Sequence, residues 1–326
     1  RLLILTVMTL LNSEGQASKL DKANLPNGSK GLVHLDLEAL RKSKLGSTML
    51  NWTQAKEGKE RVNELIESMG FNPFTALNGV TISTNGEEEN GMLILKHSAD
   101  TKNILSYIKL ADGYYATKYT SSLISNGEKT STYIHSVGKK RSSREEKPND
   151  RGYISFIDKN TAVIAPSRKL AGRGIDLVKG KGAASSLPSQ ISKIINKAKL
   201  PILVGYADMD GLEDVIEDSN IKDMVREGVI VLGESDGRFI LSLQIVAQSV
   251  ETAENLHDMA NGLIGLASLS QKENPDMGAL IKAMKISRKQ STVSVNFVMS
   301  VDKILEYADP ELKDLDINLG SDLNKK

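Results

Sequence analysis

The sequence predicts an α+β protein of two tandem related units, each an antiparallel sheet with helices mainly on one face. Three observations predict it. Val80 to Leu95 alternates as strand, polar turn and strand, with a helix near 100–110; Val229 to Ile245 repeats the pattern, with a helix from about 250. A length of 326 residues allows two domains of ordinary size, each able to bury its own core. Period-two alternation, clearest at Phe239, Leu241, Leu243 and Ile245, gives each sheet one apolar face for helices to cover. The expected division is a leader over 1–17, a first unit over 18–180, a linker and short helix over 181–200, a second unit over 201–310 and a tail over 311–326. Periodicity leaves open whether the two sheets join.

The elements follow in order. Gly31 to Leu35 is a short strand, and Asp36 caps the next helix because its carboxylate can accept from orphan backbone N–H groups. Leu37, Leu40 and Leu45 continue at helical spacing, and a second helix covers 54–69 with Gly70 as its stop. Phe71 to Phe74 turns the chain into the first hairpin. Tyr114 to Ser125 and Thr130 to Val137 are strands around Asn126-Gly127, a strong hairpin signal. Gly138 to Arg151 is a charged exposed loop, followed by a hairpin at 153–165 and a helix capped by Ser167. Gly180 to Ser186 is the linker, with a short helix near 189–198. Ile202 to Ala207 opens the second unit, where Asp208 is expected to start a short helix as Asp36 does. Strands near 281–288 and 291–299 and a last helix capped by Ser300 complete it.

Composition limits function. The net charge is +1, so no long-range field favours nucleic acid, and there is no cysteine for disulfides, thiolate chemistry or thiolate metal sites. Arg1, the ten-residue apolar core Leu2 to Leu11, and small residues at Gly15 and Ala17 form the three-part pattern of a signal peptide cleaved before Ser18. That core is shorter than the roughly 20 residues of a membrane helix. Without a cysteine at the cleavage site there is no acceptor for a lipoprotein anchor. The expected mature chain is soluble and extracytoplasmic, periplasmic or secreted, with no membrane span.

Pro26 to Leu45, with His34-Leu-Asp-Leu-Glu-Ala-Leu-Arg41 and Ser43-Lys-Leu-Gly46, resembles the start of the mature chain in a group of uncharacterised exported bacterial proteins. Met69-Gly-Phe-Asn-Pro-Phe74 is similar to the same group. These motifs are a strand, a cap and two helix ends. The resemblance implies export and fold, and carries no chemistry.

No catalytic, cofactor or metal motif survives inspection. The four histidines, at 34, 97, 135 and 257, form no local metal pair. His34 and Asp36, two apart, share one face of an extended segment; an edge histidine and a helix cap explain them more simply. Asp314 to Gly320 suggests a calcium loop, but its glycine is seventh and the twelfth residue is Lys325. Asp208, Asp210 and Asp214 crowd a helix start, where the dipole favours carboxylates anyway. Two groups are candidates for ligand or partner contact. Tyr107, Tyr114, Tyr115 and Tyr119 gather half of the eight tyrosines, although strand tyrosines usually pack across a sheet. Lys139, Lys140, Arg141 and Arg144 cluster in one loop, where Glu145, Glu146 and Asp150 offset them. The expected function is a non-enzymatic binding or scaffold module for an unidentified protein or small molecule. The alternative is a hydrolase with a scattered site at the inter-domain cleft.

Overall fold

The first half supplies β1 (Gly31–Asp36), α1 (Leu37–Lys42), α2 (Lys44–Thr53), α3 (Pro73–Ala76), β2 (Leu77–Thr84), β3 (Met92–His97) and α4 (Thr101–Leu110). It continues through β4 (Tyr115–Thr120), β5 (Ser131–Gly138), β6 (Arg151–Phe156), β7 (Thr161–Ala165) and α5 (Arg168–Val178). The second half supplies β8 (Leu200–Asp208), a 3-10 turn (Met209–Gly211), α6 (Ser219–Met224), β9 (Val225–Ser235) and β10 (Arg238–Ala247). It ends with α7 (Val250–Leu269), α8 (Pro275–Ala283), β11 (Met284–Lys289), β12 (Thr292–Ser300) and α9 (Val301–Lys313). This computed structural model describes residues 19–21, 24–53, 60, 62–64, 66–67, 71–87, 90–121, 131–138, 151–180, 191, 194–212, 219–269 and 275–313. The expected leader, the Asn126-Gly127 turn, the loop basic cluster, the Gly-Ala-Ser part of the linker and the tail from 314 lie outside those residues.

Among the described residues, twelve strands form a single sheet in the order β11-β12-β10-β9-β8-β1-β2-β3-β7-β6-β5-β4. The two halves therefore do join. Their first strands pair antiparallel, Gly31 opposite Ala207 through Leu35 opposite Leu203. Read outward from that seam, one side runs β1-β2-β3-β7-β6 and the other β8-β9-β10-β12-β11; β5 and β4 extend the first side alone.

Strand register assigns every side chain to a face. His34, Thr81, Ile94 and Val163 stand in one cross-strand row, which defines the front. There α5 packs Leu170, Ala171 and Ile175 against Met92, Ile94 and Val163. Nearer the seam, Leu25, Ile191 and Ile194 cover Leu32, Val204 and Val231 on the same face. Leu35 and Leu203 define the back, covered by Leu37 and Leu40 of α1 and by Phe74. Further along the back, Ala253 and Leu256 of α7 lie over Val293 and Ile286. The expectation of helices mainly on one face is thus corrected. A sheet this wide is apolar on both sides at its centre, so cover comes from both.

Three local readings also change. Asp36 does cap α1, accepting from Ala39 N at 2.8 Å, but Asp208 makes no capping bond and pairs with Lys30 Nζ at 2.5 Å. The three-residue turn after Asp208 offers few orphan N–H groups, and the nearby ammonium wins the carboxylate. The segment 275–283 is helix, with Pro275 at its first position, so the strand expected from 281 begins only at Met284. Helix α6 was not expected at all. Pro73, read as part of a turn, instead starts α3 under a cap from Asn72 to Phe74 N.

One buried carboxylate ties the halves together away from the seam. Lys44 N and Leu45 N, at the start of α2, donate to the two oxygens of Glu234 on β9 at 3.0 and 3.1 Å. Glu234 is a cap supplied from the other half of the chain, and the helix dipole favours its charge. The edges differ as well. β11 carries Lys285, Arg288 and Lys289 in six residues, whereas β4 carries Lys118 as its one charge.

Replacing Glu234 by Ala should lower unfolding free energy by about 2–3 kcal/mol, the loss of charge-assisted bonds to two N–H groups. Glu234→Gln should lose less, since its amide oxygen still accepts. Urea titration of the three proteins checks the order.

Candidate ligand cavity at the seam

The side chains that matter here arrive by strand register. On the front of β1, His34 stands opposite Val204 of β8 and Thr81 of β2. Asp36 follows two residues later on the same face, held there by its cap to α1. Leu20, Leu25, Ile191, Ile194 and Ile195 pack over this region, and a cavity of about 190 Å³ remains beside them. Lys19, His34, Asp36 and Asn196 are among its lining residues, although most of the lining surface is apolar. Leu20, Ile195, Pro201 and Val204 supply the apolar remainder. His34 and Asp36 are both buried, at 3% and 2% exposure, so their polar atoms are shielded from bulk water. His34 Nδ1 lies 2.8 Å from Thr81 Oγ1.

The size excludes some occupants. At about 190 Å³ the cavity lies below the roughly 300–1,000 Å³ typical of pockets for larger cofactors and drug-sized ligands. It suits a small ligand. Among the described residues, no group of three or more His, Asp and Glu side chains could hold a metal ion.

His34 was read from sequence as an edge histidine; it sits instead on a central strand, because β8 covers the side of β1 that would have been an edge. Lys19, Thr81 and Asn196 carried no signal. Only the long-range pairing and the covering segments bring them near His34.

The candidate tyrosines do not converge. Tyr119 points to the front, where its hydroxyl donates to Asp176 of α5 at 2.7 Å. Burial, then the bond to and charge of Asp176, push its phenol up to about 12. Tyr115 shares that face and lies under the Arg151 guanidinium at 4.6 Å. Tyr114 stacks on His135, with its hydroxyl 3.0 Å from Nδ1, and Tyr107 is exposed on α4. Lys139, Lys140, Arg141 and Arg144 lie outside the described residues.

Two further features were not read from the sequence. Buried His97 and His135 flank Phe156 at ring distances of 6.0 and 6.3 Å. Helix α7 leaves Met259, Leu263, Leu266 and Leu269 between 56% and 75% exposed, an apolar stripe of the kind that marks interaction surfaces. Among the described residues no helix is long and apolar enough to cross a membrane.

No protein-family model matches the chain. The search of curated proteins likewise gives no match. Three crystal structures of TP0453, a Treponema protein, align with it. Crystal form III has a TM-score of 0.49 at 8% identity, covering 89% of this chain and 98% of that one. Form I has 0.45 at 10%, covering 90% and 98%, and form IV has 0.45 at 10%, covering 89% and 97%. Similarity at that level bears on neither activity nor ligand.

Two measurements follow from these side chains. Tyr119→Phe removes the hydroxyl bonded to a buried carboxylate and should cost about 1.5–3 kcal/mol in urea titration. His97 and His135 are both held below the ordinary imidazole range, chiefly by burial and, at His135, also by Lys109. Their contribution to stability is complete above the unfolded value near 6.5 and is lost as pH falls from there toward the lowered folded values, because the unfolded chain takes up protons first. The denaturation midpoint should drop between pH 7 and 5, and His97→Leu should flatten that slope.

Proposed function

We propose that this chain is an exported, non-enzymatic binding module that holds a small ligand in the seam cavity. The observation that carries the reading is the cavity itself. It is walled by β1 and β8, one strand from each half, and buries an imidazole and a carboxylate beside apolar side chains. Binding sites commonly combine an apolar lining with a few convergent polar groups at the junction of two structural units.

The rest of the reading concerns origin and place. Two related copies, 18–180 and 201–310, are supported by the matching strand order read outward from the seam. The leader composition over 1–17 supports export to the periplasm or medium. The apolar stripe of α7 supports a scaffold role alongside ligand binding.

A hydrolase is the second reading, and one observation favours it. His34 lies within hydrogen-bond reach of the Thr81 hydroxyl, with Asp36 on the same wall. A nucleophile beside a base and a carboxylate is the arrangement acyl transfer uses. Against it, one Asp36 oxygen already accepts from Ala39 N as a helix cap.

Native mass spectrometry of the mature protein, purified gently from its own host, tests the binding reading. A co-purifying small molecule that is lost in Asn196→Trp, where an indole fills the cavity mouth, is the expected result. Equal occupancy in both proteins overturns the cavity as the site. Turnover of p-nitrophenyl acetate that disappears in Thr81→Ala would establish the hydrolase instead.

A further inference from the structure

We propose that the C-terminal half of α7 is the contact of a two-fold homodimer, in which α7 of one copy packs antiparallel on α7 of a second. This goes beyond the binding reading and does not depend on the seam cavity. Met259, Leu263, Leu266 and Leu269 recur at helical spacing and are 56%, 62%, 65% and 75% exposed. Ala253 and Leu256 hold the other side of the helix to the sheet. Residues 259–269 contain no charged side chain. Such a segment belongs against other apolar surface, and it is too short to cross a bilayer, which takes about 20 residues.

The stripe is complementary to itself. Antiparallel helices that cross at the level of Ile264 bring together positions that mirror one another about it. Gly262 then lies opposite Leu266 of the second copy, Leu263 opposite Gly265, and Met259 opposite Leu269. Each glycine leaves room for a leucine. Within one copy a Cβ added at Gly262 or Gly265 would meet nothing within 4 Å, so neither glycine serves packing inside the chain. Glycine weakens a helix interior, and the close approach of a partner helix accounts for both.

Area and charge choose the occupant. Four large side chains at these exposures, taken from both copies, remove on the order of 1,000 Å² from water, the threshold of a specific interface. A lipid surface fits less well. Helices that lie on membranes carry Lys and Arg on the polar face, whereas the charged residues of α7 are Glu251, Glu254 and Asp258. Arg288 on β11 is taken up by Glu254 at 3.6 Å. A two-fold contact also uses the same patch on both copies, so assembly ends at two.

Sedimentation equilibrium of the mature chain without detergent tests the assignment. The expected result is a concentration-dependent equilibrium between monomer and dimer. Met259→Lys and Leu269→Glu should each weaken the dimer at least tenfold, and Leu266→Glu should do the same. Met259→Lys and Leu269→Glu combined in one chain should restore it, because each Lys then faces a Glu of the other copy. Within one helix those two positions are nearly three turns apart and cannot pair. A monomer at every concentration overturns the proposal, as does a dimer indifferent to all the substitutions. A double variant that stays monomeric overturns the antiparallel two-fold register. A wild-type monomer that binds phosphatidylcholine vesicles, with binding lost in Leu266→Glu, overturns the second copy in favour of a membrane. All three positions are exposed, and circular dichroism of each variant separates lost pairing from lost fold.

Discussion

Backbone pairing between β1 and β8 is the constraint on which the rest of this molecule depends. Two strands about 170 residues apart in sequence lie at the middle of one sheet, each with neighbours on both sides. A central strand has no edge to solvate, so its N–H and C=O groups must find partners in the protein. The partners here come from the other half of the chain. Flanking contacts lock the register at one end. Lys30 pairs with Asp208, whose backbone N–H donates to Lys30 O at 2.7 Å. Gly86, at φ +91°, lets the β2–β3 turn lie directly on the Gly211 carbonyl, where any Cβ would overlap it.

The cavity is a product of that pairing. Its front face carries His34, Thr81 and Asp36, polar groups at the centre of a wide sheet. Asp36 has a structural reason to be there, since its carboxylate starts α1. His34 has a neighbour in Thr81. Leu20, Ile195 and Asn196 line the remaining space from above. The front under α5 also buries polar groups, the Tyr119 hydroxyl on Asp176 among them, but α5 packs over that face directly.

Much of the fold was legible because it is written in short-range patterns. Alternation through Phe239 to Ile245, the caps at Asp36, Ser167 and Ser300, and the hairpin turns all report on neighbours within a few residues. The joining of the sheets was not legible, because strand pairing across the seam leaves no local mark in either Gly31 to Asp36 or Leu200 to Asp208. The cover on both faces follows from that joining and was missed with it. At Asp208 the local rule was overridden by a lysine 178 positions away. The site was less legible still. His34 and Asp36 stood out as a pair on one face, but Lys19, Thr81 and Asn196 approach them only in three dimensions. Nearness of tyrosines in sequence does not bring their rings together: Tyr114, just before β4, stacks on His135, while Tyr115 lies under Arg151.

The borders of the sheet bear on how the molecule behaves at high concentration. Both outer strands carry cations: Lys285, Arg288 and Lys289 on β11, of which Arg288 pairs with Glu254 at 3.6 Å, and Lys118 on β4, with Arg151 over Tyr115 and Arg168 donating to the Lys118 carbonyl. Charge of one sign at either border opposes the lateral addition of a second copy, the hazard that an open twelve-stranded sheet carries.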